Sequence, residues 1–135
     1  MKKYLAYVFF LVLSHQVLQA QASSKTQLIY GRVNRNMPSK KGSYEVPASK
    51  VKVLLAEAAY SGLKFDKSIC NKTNYPSQVK TFITDSRGEY NFRGLKKGIK
   101  YRLIFCDPLN NKVYSTELQI PSSASGTIKI PDQNI

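Results

Sequence analysis

The chain has 135 residues, 21 of them basic and 8 acidic, for a formal net charge of +13. That length suits one domain around one core, and eight scattered acids leave little material for carboxylate-based chemistry. Its single histidine, His15, lies near the N-terminus. Once that region is removed, no imidazole is left to activate a Ser or Cys nucleophile.

Residues 1–22 have the layout of a secretory signal peptide. Met1-Lys2-Lys3 is a short positive start, Tyr4 to Leu13 is an uncharged apolar run, and Ala20-Gln21-Ala22 offers a small-x-small cleavage pattern. The rival reading, an uncleaved anchor, needs a longer apolar run than this one. No cysteine stands near the junction to carry a lipid, and no other stretch is apolar enough to span a bilayer. The expected mature protein is therefore residues 23–135, secreted or periplasmic and without a transmembrane segment. The leader holds two lysines and no acid, so the mature chain carries +11.

Period-two alternation then recurs. "TQLIYGRVN" (26–34) places Ile29, Gly31 and Val33 on one face. "SKVKVLLAE" (49–57) sets Val51, Val53 and Leu55 inward, with Lys50, Lys52 and Leu54 outward. "VKTFITD", "EYNFRG", "IKYRLIFCD", "NKVYSTELQI" and "GTIKI" follow. Seven such strands predict an all-β, Greek-key sandwich of the immunoglobulin or prealbumin kind. Asp85-Ser86-Arg87-Gly88, Lys96-Lys97-Gly98 and Asp107-Pro108-Leu109-Asn110-Asn111 are the turn signals between strands. "MPSKKGSYEVP" (37–47) reads as a polar loop. Residues 57–78 form a long insertion, with one helical turn expected across Leu54 to Tyr60.

Cys70 lies in that insertion and Cys106 at the end of a core strand. In an exported chain the pair is expected as a disulfide, worth roughly 3–4 kcal/mol by chain entropy. The rival arrangement is a buried thiol and a surface thiol that never meet.

Gly31-Arg32-Val33, then Ala48-Ser49-Lys50-Val51-Lys52-Val53, then Thr84-Asp85-Ser86-Arg87-Gly88-Glu89-Tyr90-Asn91-Phe92, then Gly94-Leu95-Lys96-Lys97-Gly98-Ile99-Lys100-Tyr101 make an ordered series. In that order they resemble the carboxypeptidase regulatory-like domains, which share a transthyretin-type sandwich with collagen-adhesin B-type repeats. The likeness spans most of residues 28–106, with 57–78 as an insertion. It implies a non-catalytic module that accompanies peptidases, adhesins or envelope receptors.

The residues agree with a binding or supporting role. No catalytic residue, cofactor or metal is expected: a zinc site would need two cysteines plus carboxylates. Asp85 and Glu89 flank Arg87 and supply too few oxygens for calcium. The rival from another class is a secreted hydrolase or lyase using carboxylates. The candidate surface combines Tyr60, Phe65 and Tyr75 of the insertion with the basic residues Lys96, Lys97, Lys100 and Arg102. Their alternative roles are a satellite apolar cluster and a solvated outer face. Tyr90, Phe92, Tyr101 and Phe105 are assigned to the core, with Tyr101 as a tyrosine corner. The partners this surface suits are an envelope protein, a glycan or an anionic surface. Nucleic acid is disfavoured, because export separates the chain from it and the aromatics point inward.

Overall fold

Residues 27–63, 65–124 and 126–135 are described by the computed structural model, and the expected signal peptide lies outside them. Their strands are β1 (Gln27–Ser39), β2 (Gly42–Pro47), β3 (Lys52–Glu57), β4 (Lys80–Ile83), β5 (Glu89–Leu95), β6 (Lys100–Asp107), β7 (Lys112–Gln119), β8 (Thr127–Lys129) and β9 (Gln133–Asn134). One short helix, α1, covers Lys67–Cys70. No helix among the described residues is long and apolar enough to cross a membrane.

The first sheet is organised around β1. Its N-terminal half pairs antiparallel with β5 and its C-terminal half with β2, while β8 and β9 pair with it in parallel. The second sheet runs β4-β3-β6-β7, antiparallel throughout. Alternation determines which side chains meet between them, because successive residues of a strand point to opposite faces. Ile29 and Val33 of β1, Val53 and Leu55 of β3, Tyr90 and Phe92 of β5, and Leu103 and Phe105 of β6 share one buried core. Each such side chain contributes roughly 1.5–3 kcal/mol by burial. Tyr90 and Phe105 meet edge to face at 5.7 Å between ring centres.

Two glycines are required by close approach. A Cβ on Gly88, whose φ is +73°, would lie 2.3 Å from the Val33 carbonyl, which accepts a hydrogen bond from the Ala48 N–H. A Cβ on Gly31 would strike the Tyr90 hydroxyl.

The structure departs from the sequence expectation in four places. Residues 37–47 are a hairpin and not a loop: Met37 pairs with Tyr44 and Ser39 with Gly42. Its prolines are tolerated because, at a sheet edge, an N–H facing away from the partner strand has no ladder bond to lose. Leu54 points outward as expected but is fully buried. Residues 54–57 continue β3, and the helical turn forms later, at Lys67–Cys70, where Asp66 supplies an N-cap. Among the described residues nine strands form where seven were expected, because the hairpin adds β2 and because β9 pairs with β1.

The burial of Leu54 defines the architecture. On the outer face of the second sheet, Leu54, Ala56, Ile104 and Cys106 are covered by Leu63 and Ile69 from the insertion and by Val79 just after it. Tyr60, Cys70 and Tyr75 complete this second apolar cluster. The sandwich therefore carries a third layer over half of one sheet.

Candidate functional site

The insertion is held down by three devices. Asp66 caps α1, accepting hydrogen bonds from the Ser68 N–H and hydroxyl, and these bonds hold its carboxyl below the usual range. The Cys70–Cys106 disulfide, with 5.6 Å between Cα atoms, ties the end of α1 to β6. The ammonium of Lys52 donates to the carbonyls of Cys70 (2.9 Å) and Lys72 (3.0 Å) and to the Tyr75 hydroxyl (3.4 Å). It also sits 5.5 Å from the centre of the Tyr75 ring, a cation–π contact. Tyr75 in turn donates to the Ile69 carbonyl.

Where the insertion leaves and rejoins the second sheet, a cleft of about 450 Å³ opens. Its walls are Glu57 and Tyr60 on the outgoing side and Ser77, Gln78 and Lys80 on the return, closed by Lys96 after β5. Leu55 and Tyr101 form its floor. Tyr101 is the expected tyrosine corner: its hydroxyl accepts the Lys96 N–H at 2.8 Å, which sets the turn that presents Lys96. Lys96 lies 3.6 Å from Glu57, an exposed pair worth little on its own. Lys80 lies over Gly94, where a Cβ would be 3.5 Å from its ammonium, and makes no ion pair among the described residues. The cleft thus offers two ammonium groups, one carboxylate, an amide, a hydroxyl and an aromatic edge around an apolar floor.

Tyr60 and Lys96 are the two sequence-selected residues that meet there. The others are dispersed. Tyr75 is engaged with Lys52 and the second cluster. Phe65 is 56% exposed on the far rim, beside Lys112 and Tyr114 of β7. Lys97 is exposed in its turn outside the cleft. Lys100 and Arg102 project from the outer face of β6 and share Glu117, at 3.7 and 3.3 Å, so their charge is partly neutralised. Sequence reasoning passed over Glu57, Ser77, Gln78 and Lys80. The available signal was positional: Glu57 and Lys80 stand at the two ends of the insertion, which must come together if β3 and β4 pair.

Asp85 and Glu89 have protein partners. Asp85 accepts the N–H groups of Arg87 and Glu89, both at 2.9 Å, and Glu89 pairs with Arg32 at 3.1 Å. Among the described residues, no three or more His, Cys, Asp or Glu side chains gather in a group able to hold a metal ion.

No protein-family model matches the chain, and no curated protein matches it in sequence. Among solved structures it is similar to the catechol 1,2-dioxygenase from Pseudomonas arvilla C-1, at 14% identity and a TM-score of 0.42. That likeness covers 71% of this chain, which spans 36% of the dioxygenase chain.

Proposed function

We propose that the mature chain is an exported, non-catalytic binding module that holds an acidic saccharide in the cleft between the insertion and the sandwich. The observation that carries this reading is the convergence of Tyr60, Lys80 and Lys96, from three separate segments, on one open cleft. Ammonium groups recognise a sugar carboxylate by charge-assisted hydrogen bonds, while Gln78 and Ser77 suit its hydroxyls. The apolar floor and the Tyr60 edge suit a sugar face. The ordered motifs of a carboxypeptidase regulatory-like domain support a recognition role at the cell envelope. A disulfide between the insertion and the second sheet supports an oxidising compartment. The cleft holds one carboxylate, Glu57, already within reach of Lys96, an arrangement that favours binding over acid–base work on a glycosidic bond.

Calorimetry with uronic-acid oligosaccharides tests the reading. Binding is expected at low salt, falling as salt screens the lysines, and weakening about tenfold in Lys80→Ala or Tyr60→Ala. Equal affinity in both variants would rule out the cleft as the site.

A further inference from the structure

A second groove, of about 340 Å³, lies beside the middle of the insertion, where β3 begins, with the Cys70–Cys106 disulfide in its lining. Lys50 and Lys112 contribute charge to it and make no ion pair among the described residues. Lys52 adds charge but has its donors directed at the two carbonyls and the Tyr75 hydroxyl. The acid in the lining, Asp107, is 3% exposed, and its carboxylate is turned to Arg35, the Leu109 N–H and the Asn110 amide. Two side-chain amides, Asn71 and Asn111, complete the polar wall. The groove is therefore cationic, rich in donors and without an accessible carboxylate.

The backbone adds a second observation. Lys50 (φ 60°) and Asn111 (φ 50°) are the two non-glycine residues with positive φ among the described residues, and both line this groove. Asparagine adopts that conformation readily, but for lysine it is strained, and glycine would adopt it at lower cost. Lysine at this position places an ammonium at the groove at a cost in stability. Ile83, 52% exposed, and Pro108 form an apolar wall beside these charges.

We propose that this groove binds the oxyanion of a sulfate or phosphate ester, with the carbon skeleton of the ester against Ile83 and Pro108. It is independent of the acidic-saccharide cleft. NMR titration with inorganic sulfate, inorganic phosphate, a sulfated monosaccharide and glycerol phosphate tests it. Both esters are expected to shift the Asn71 and Asn111 side-chain amides and to bind several-fold more tightly than the free ions. Whichever ester binds more tightly identifies the carrier. Lys50→Gly is expected to raise the melting temperature while weakening ester binding about tenfold, and Lys112→Ala to weaken it comparably. The opposed changes in Lys50→Gly separate a binding role from a structural one. Absence of amide shifts, or unchanged affinity in both variants, would overturn the proposal.

Discussion

Arg35 and Asp107 illustrate how a residue's role depends on what the fold places opposite it. Arg35 is on β1 and Asp107 ends β6, so their ion pair bridges the two sheets with both side chains nearly inaccessible. Asp107→Ala leaves the guanidinium buried without its partner and is expected to cost roughly 3–5 kcal/mol in urea unfolding. Replacing both residues, Arg35→Met with Asp107→Leu, should recover much of that loss, since no unpaired charge remains. Tyr90 behaves oppositely. Its hydroxyl lies against Gly31 with no hydrogen-bond partner among the described residues, and burial, reinforced by the nearby Asp132, pushes its phenol well above the usual value of about 10. The fold therefore retains a proton that the unfolded chain gives up. Stability from this group is intact below about pH 10 and is lost as pH rises from there toward the folded value. Tyr90→Phe is expected to be neutral or stabilising by about 1 kcal/mol at neutral pH. Its advantage over the parent should widen above pH 10 in paired denaturation curves.

The insertion is the element that adds a third layer and a cleft to the sandwich. It buries an apolar stripe that would otherwise be exposed on the second sheet, and its two ends form the cleft. Its hold on the sandwich is separable from the core, because the disulfide and Lys52 act on the outer face alone. Replacing both Cys70 and Cys106 by serine is expected to cost roughly 3–4 kcal/mol. Hydrogen exchange should quicken across residues 57–79 while the amides of Val53, Leu103 and Phe105 remain protected. Uniform loss of protection would mean that insertion and sandwich unfold as one unit. The β1–β2 hairpin is the contrasting element: from Pro38 to Glu45 it is exposed along its whole length.

For the whole molecule, charge is the dominant global property. A chain with a formal net charge of +13 repels itself. Its ion pairs relieve this locally, with Arg32–Glu89, Lys96–Glu57 and the Lys100/Arg102–Glu117 group lying at the surface. Added salt screens both the repulsion and these exposed pairs, and with so many more bases than acids the repulsion prevails. The urea midpoint is accordingly expected to rise between low and moderate sodium chloride. A falling midpoint would show that the surface pairs outweigh the net charge.

How much of this was legible depends on the range of the interaction. Core positions such as Val53, Tyr90 and Phe105, the Asp85–Gly88 turn and the Tyr101 corner were readable because alternation and turn chemistry are local. The pairing of Cys70 with Cys106 followed from their number and an inferred compartment. Four features depended on contacts made only in three dimensions. The hairpin at 37–47 hid behind its prolines, whose cost vanishes on an edge. Leu54 read as an outward residue because its cover comes from Leu63, Ile69 and Val79, distant along a segment with no period of its own. The Arg35–Asp107 bridge spans 72 residues. Lys80 joined Lys96 in the cleft only through the pairing of β3 with β4 and the return of the chain after β5. Local sequence determined which segments are strands and which side chains they bury, since a strand's period is a property of its own backbone. The third layer, the inter-sheet ion pair and the two charged grooves were decided by tertiary structure, because each needs groups whose separation in space no local pattern encodes.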